Sequence, residues 1–406
     1  MGANISYKLK TSLQGALAGG GDPATSPLYV FGPFLGLIMG AGVASVTFGA
    51  SIWMAVFTVV AVSATYRYVM LWITDGSGGS GLSEEEFGGW AVMANSAITV
   101  IEYTLTFLVS ISALVTFLFD RLPSLDISLG FTDSRVLIAV GFSVLVAIAV
   151  NRGPSISSKV FGPATAAILL FLWLMVGAVI WQRGFSLPGF DVEAFSPDYL
   201  GFTLGGFARI LALMTGIEIF ANLVASYEGN AAKRGRLAFG SLVMVMGTTV
   251  TTMVIVGPAI LALADPTDQS KSVFTQTMDA ILPSWLSYTG TLIGIAVLLS
   301  AAAASAQGLQ NLCLGLRARH YIPAKWGQRN RFDVPSIPSW IMAFVVIVSF
   351  FLWGTHEETY LALYAAGVFI LLSMTGWAAF KRFFRQFSSN RKAVNAFGVA
   401  VTFFSA

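Results

Sequence analysis

Three carboxyl groups stand where a carboxyl is expensive: Asp22, Glu102 and Glu218 each fall inside a long apolar run. At a bilayer centre such a group costs about 2.5–3.5 kcal/mol unless paired, hydrated or protonated, so each is a candidate for function. Each also keeps oxygen-bearing company. Glu102, Thr106 and Ser110 are spaced by four and share one helix face, with Tyr103 at its edge. Thr215 stands three before Glu218 and Asn222 four after it, while Thr25, Ser26 and Tyr29 follow Asp22. A lone hydroxyl in an apolar helix commonly serves only to hydrogen-bond a neighbour. Hydroxyls gathered with carboxyls do more, because together with backbone carbonyls they replace the hydration shell of a hard cation such as K⁺ or Na⁺.

The elements that must position these groups are membrane-spanning helices. Of 406 residues, 56% are hydrophobic and only 11% charged, and the mean hydropathy is +0.76; a soluble surface needs about a quarter charged. Apolar runs cover 13–37, 46–72, 90–119, 136–150, 163–181, 200–226, 237–263, 288–314, 338–353 and 360–380. That makes about ten complete helices, each near the length that crosses 30 Å of hydrocarbon. An eleventh run starts near Val394 and stops at Ala406. The whole of 1–406 reads as a single transmembrane domain without a soluble one. The start, MGANISYKLK, is polar, so no cleavable signal peptide is expected and helix 1 serves as its own insertion signal.

Orientation follows from the basic residues. With a cytoplasmic N-terminus, 17 of the 23 lysines and arginines fall inside. They are Lys8, Lys10, Arg152, Lys159, Lys233, Arg234, Arg236, Arg317, Arg319, Lys325, Arg329, Arg331, Lys381, Arg382, Arg385, Arg391 and Lys392. Arg121, Arg135, Arg183 and Lys271 fall outside, and Arg67 and Arg209 sit within or near helix ends, able to snorkel. The formal net charge of +3 says little about nucleic acid, and none is expected as a partner. Trp72, Trp90, Trp181, Trp340 and Trp353 lie near span ends, as interfacial anchors do. Glu84, Glu85 and Glu86 read as a solvated interfacial loop, and Glu357 and Glu358 as an outer loop.

Two helices are interrupted. Helix 1 carries GGGDPATSP at 19–27, where prolines remove donors and glycines tolerate irregular dihedrals. Helix 6 carries Met214-Thr215-Gly216-Ile217-Glu218, a milder interruption. A proline kink with a packing glycine would explain either alone. Breaks five spans apart, each with a carboxyl, instead give the pattern of inverted-repeat transporters that bind substrate at the midplane. Asp22 beside half-helix donors would repel a substrate carboxylate, so the site favours a cation or an amine over a simple amino acid.

Other classes lack their residues. One cysteine, Cys313, excludes an internal disulfide or a multi-thiolate metal site, and His320 and His356 lie in or beside loops. A membrane enzyme would need a convergent set such as Ser with His, which the sequence does not supply. An ion channel would want repeated selectivity-filter loops, also lacking. The nearest rival is a permease for amino acids, polyamines or amines, with Asp22 pairing a substrate ammonium.

GDPATSPLY (21–29) is similar to the first-helix motif of the KUP potassium uptake permeases. EYTLTFLVS (102–110) and ALMTGIEIFANLV (212–224) look still more like the KimA-type potassium–proton symporters, and LYAAGVF (363–369) resembles their tenth helix. Both groups belong to the amino acid–polyamine–organocation (APC) superfamily, so the resemblance implies the LeuT-like five-plus-five inverted repeat with broken helices 1 and 6. It implies K⁺ ligation by Asp22, Tyr29, Tyr103, Thr106, Ser110 and Thr215, with Thr25 flanking the same break. It implies an acidic role for Glu102, proton coupling through Glu218 and a place near the path for Tyr364. Expected partners are the bilayer and a small cation, with a homodimer left open; K⁺ and H⁺ are cargo, and no cofactor is expected. Two departures stand out. Glu102 replaces an aspartate of the KimA pattern, and the chain stops in its eleventh helix, as a fragment or a short form, without the twelfth helix and cytoplasmic region of relatives.

Overall fold

A computed structural model describes residues 9–128, 130, 132–268, 271–318, 320–386 and 398. Lys8, Arg319, Arg391, Lys392 and all of the eleventh apolar run but Gly398 lie outside the described residues. Every regular element among the described residues is helical. Helix 1 is built from α1 (Ser12–Gly19), α2 (Gly21–Tyr29) and α3 (Phe31–Gly40). Next come α4 (Ala44–Trp72), a short α5 (Gly78–Phe87), α6 (Gly89–Arg121), α7 (Ser134–Val150) and α8 (Pro154–Arg183). Helix 6 is divided into α9 (Pro197–Ile210) and α10 (Ile217–Asn222), each followed by a turn of 3₁₀ helix. The rest are α11 (Ala231–Leu263), a short α12 (Val273–Ile281), α13 (Ser284–Ala318), α14 (Ser336–Trp353) and α15 (Glu357–Arg385).

Eight of these stretches are long and apolar enough to cross a membrane. The 17-residue α7 and the divided helix 1 complete the set of spans that the apolar runs predict. The chain is a multi-pass helical membrane protein. Exposed apolar side chains such as Trp181, Leu170, Phe344 and Leu363 ring the bundle, as lipid contact requires. The centre is filled from helix 1 outward. All nine residues of α2 are buried, packed against α8, α11 and α13, while α6 lies between α13 and α15.

The two ends of the bundle are tied by different chemistry. At one end, Asp120 accepts hydrogen bonds from the backbone N–H (3.1 Å) and hydroxyl (2.6 Å) of Ser272, the residue capping α12. Arg121 reaches Asp279 (2.8 Å), Ser287 (2.7 Å) and Thr291 (2.9 Å), pinning α12 to α6 and α13. Burial alone would push the Asp279 carboxyl up, but hydrogen bonds from Lys271, Ser287 and Arg121 hold it below the ordinary carboxylate value. Glu357 and Glu358 are not in a loop: they form the first turn of α15, where the helix dipole favours anions, and Glu357 accepts from Thr116 at 2.7 Å.

At the opposite, basic end the acidic run Glu84–Glu85–Glu86 is likewise not a solvated loop. It is the last part of α5, with the Glu86 side chain fully buried. Glu86 Oε1 accepts from Arg382 Nε at 2.7 Å and Arg385 Nη2 at 2.8 Å, and Arg382 also pairs with Glu85. An ion pair removed from water needs this degree of hydrogen bonding to offset its desolvation.

Candidate functional site

The interruption of helix 6 is the sharper of the two, the reverse of what residue content suggests. After the 3₁₀ turn at Leu211–Met214, Thr215 is extended (ψ 149°) and Gly216 takes the left-handed conformation (φ 77°) before α10 restarts. Only glycine adopts that conformation without strain. A Cβ on Gly216 would also lie 2.5 Å from Pro23 Cδ and 3.2 Å from Asp22 Oδ2. Bare backbone of helix 6 therefore faces the Asp22 carboxyl. Helix 1 by contrast stays nearly helical: Gly20 (φ −85°, ψ −2°) donates to Ala16 O at 2.8 Å and accepts from Ala24 N at 3.0 Å. Pro23 sits in the first turn of α2, where its missing N–H has no intrahelical acceptor to lose.

Around Asp22, which is 2% exposed, the structure gathers hydroxyls from three helices. Tyr364 of α15 donates to Asp22 Oδ1 (3.4 Å) and accepts from Thr106 of α6 (3.2 Å). Thr106 also lies 3.0 Å from the Glu102 carbonyl and 3.4 Å from its carboxyl. Thr25 donates to the Asp22 carbonyl at 2.6 Å, leaving its lone pairs free to accept a cation. Ser26 sits 3.3 Å from both Thr215 Oγ1 and the Ala212 carbonyl, tying helix 1 to the broken part of helix 6. Tyr29 is buried beside Ser26 and Thr215, and Ser110 is buried two turns along α6 from Glu102.

Glu218 lies on the other side of the interruption with a different set of partners. Tyr66 of α4 donates to Oε2, and the backbone N–H of Gly79, at the start of α5, donates to Oε1 at 2.7 Å. Asn222 reaches the Tyr103 hydroxyl at 3.5 Å. A cavity of about 540 Å³ opens here, lined by Asp75, Ser96, Thr99, Tyr103, Glu218 and Asn222 among others. Glu102 lies within Coulombic reach of both Asp22 and Glu218.

The predicted residues thus fall into two groups joined by Glu102. Asp22, Thr25, Tyr29, Thr106, Thr215 and Tyr364 surround the first carboxyl; Tyr103 sits with Asn222 at the cavity by Glu218. Among the described residues no lysine or arginine pairs with Asp22, Glu102 or Glu218. Nor is any group of three acidic, histidine or cysteine side chains close enough to hold one metal ion together. The partners of each carboxyl are neutral: the Tyr364 hydroxyl for Asp22, the Thr106 hydroxyl for Glu102, and the Tyr66 hydroxyl with the Gly79 N–H for Glu218. That suits a monovalent cation or a proton better than a divalent ion, which gathers several carboxylates at once. Sequence reasoning missed Tyr66 and Gly79. A tyrosine in an apolar run carries little signal, and a backbone N–H carries none.

No protein-family model matches the chain. It is similar to the "Potassium transporter KimA" of Bacillus subtilis (strain 168), at 24% identity over 360 residues, or 84% of this chain and 56% of that protein. The chain spans little more than half the length of the relative it matches. The resemblance that the helix motifs suggest is thereby borne out.

Proposed function

We propose that the chain is a secondary transporter that moves K⁺ inward across the cytoplasmic membrane together with H⁺. One observation carries this: three buried carboxyls held by neutral hydrogen-bond partners, with no basic partner among the described residues. A charge kept from water must be neutralised, and where protein supplies no cation, a transported one or a proton does. The similarity to a potassium transporter supports K⁺ as that cation.

In this reading K⁺ lies between helix 1, α6 and the helix 6 interruption, held by one carboxylate (Asp22) and neutral oxygens of Thr25, Tyr29, Thr106, Thr215 and Tyr364. Ser110 and Tyr103 extend the path outward and inward. Glu218 carries the proton, and Glu102 transmits charge between the two groups. Charges held close together feel one another, so loading one group with a cation changes proton affinity at the next. Interruptions of helices 1 and 6 agree with a five-plus-five inverted repeat, in which one bundle rocks against the other about the fixed site. The basic end is then cytoplasmic, and the cavity at Glu218 is the inward vestibule.

A potassium-uptake-deficient strain expressing the full-length parent gene should grow at low external K⁺, with rubidium uptake competed by K⁺ and not by amino acids or polyamines. Competition by an amine and none by K⁺ would replace this reading with that of an amine permease.

A further inference from the structure

The short helix α5 touches the proposed proton carrier with one end and a buried ion pair with the other. At its start the chain approaches Glu218 through bare backbone. A Cβ on Gly78 would lie 2.4 Å from Glu218 Oε1, and one on Gly79 3.1 Å from Glu218 Oε2 and 2.1 Å from Thr375 Oγ1. The Gly79 N–H completes the contact at 2.7 Å, so the positive end of the α5 dipole rests on the carboxyl. At its far end Glu86 is locked to Arg382 and Arg385 of α15. Ser80 and Gly81 between these anchors, with Ser77 just before the helix, form one wall of the vestibule. The helix is flanked by glycines with positive φ, Gly76 (92°) before it and Gly88 (88°) after it. These are joints about which a rigid segment can swing.

We propose that α5 is a cytoplasmic lid on the vestibule, latched by Glu86–Arg382 and held shut at its other end by the charge on Glu218. The proposal rests on reading Glu218 as the proton carrier. The groups around Glu218 are Tyr66 from α4, Asp75, Gly78 and Gly79 at the start of α5, Glu102 and Tyr103 from α6, Thr375 from α15 and Asn222 on its own helix. None is cationic, so the hydrogen bonds that Glu218 accepts come from Tyr66 and the α5 N-terminus. A proton arriving on the carboxyl removes the charge that the helix end holds. The start of α5 then swings away, and cation and proton leave on the same side. Tyr66 and Gly79 are positioning groups here, acting on the cation only through Glu218.

The test uses Ala304→Cys, which lines the vestibule, in a Cys313→Ser background of the full chain in inside-out vesicles. Labelling by a membrane-impermeant maleimide is read relative to denatured protein at the same pH. At about pH 7.5, Glu218→Gln should label about tenfold faster than the parent, the gap between a charged and a neutral hydrogen bond. The parent should approach that rate as pH falls. Gly79→Ala, whose Cβ would press on Thr375 at 2.1 Å and on the Glu218 carboxyl at 3.1 Å, forces α5 off the site and should label fast at every pH. Arg382→Gln should do the same, and Arg382→Lys, which keeps the positive charge, should label more slowly than Arg382→Gln. Equal labelling rates for the parent, Glu218→Gln and Gly79→Ala, with proton-driven rubidium uptake intact in the parent and lost in Glu218→Gln, would overturn the lid and leave the transport reading standing. Proton-dependent labelling without K⁺-competed uptake would keep the lid and overturn the cation assignment.

Discussion

Helix 1 and helix 6 are interrupted by opposite means. Helix 1 has the disruptive composition, with three glycines and two prolines across 19–27, yet its hydrogen bonds run through Gly20 almost undisturbed. Helix 6 has one glycine and no proline at its interruption, yet there the chain turns out of the helix, through Gly216 at φ 77°. Pro23, in the first turn of α2, loses nothing and Pro27, inside it, removes a single hydrogen bond without ending the helix, whereas a residue in the left-handed region ends one. Composition marks where a helix can open. Tertiary contact decides where it does, and here the contact is Pro23 and Asp22 pressed against Gly216.

The largest effect should come from putting a side chain into that contact. Gly216→Ala meets Pro23 at 2.5 Å and adds about 1–2 kcal/mol of left-handed strain. Rubidium uptake in proteoliposomes should fall by more than about tenfold. A control in helix 1 beyond its interruption, Gly32→Ala, places its Cβ in open space within α3 and should leave uptake unchanged, with a neutral or slightly raised melting temperature. Equal loss from both would mean that the Gly216 contact is not what uptake depends on.

Next in size is the latch that anchors α5. Arg382→Ala leaves the buried Glu86 charge without its main partner, a change that costs about 3–5 kcal/mol in buried pairs. Detergent-solubilised protein should melt well below the parent. Neutralising both members with Glu86→Gln and Arg382→Gln should recover much of the loss.

How much of this was legible in the sequence divides along the same line. Spans, basic asymmetry and the three acidic positions were readable, because hydropathy and charge act residue by residue. The similarity to a potassium transporter was readable from four short motifs. The relative sharpness of the interruptions was not, since it depends on a dihedral fixed by a neighbour about 190 positions away, as the Ser26–Thr215 separation of 189 illustrates. Glu86 reads as solvated in the sequence because its partner Arg382 lies 296 positions on. Tyr66, now a direct partner of Glu218, offered only an aromatic ring in an apolar run.

Smaller effects sharpen the contrast between the cation group and the proton group. Tyr364→Phe removes the hydroxyl joining Thr106 to Asp22, a hydrogen bond worth about 1 kcal/mol, and should weaken the apparent affinity for rubidium about fivefold without changing its proton dependence. Tyr66→Phe should do the reverse, shifting the pH profile of uptake with little change in affinity.

Smallest is the far end, outside both groups. Asp279 is held below the ordinary carboxylate value, so its contribution is fully present above the unfolded value near 3.8 and is lost as pH falls through the lower folded value. Asp279→Asn should lower stability at neutral pH by about 1 kcal/mol or less, for a partly exposed pair, and the difference should close near pH 3.

The central claim is that one buried carboxyl binds the cation while another carries the proton. Proteoliposomes holding Glu218→Gln, given an inward pH gradient, test it most directly. The account predicts that gradient-driven rubidium accumulation disappears while rubidium–potassium exchange continues. Accumulation at the parent's level under the same gradient would contradict it.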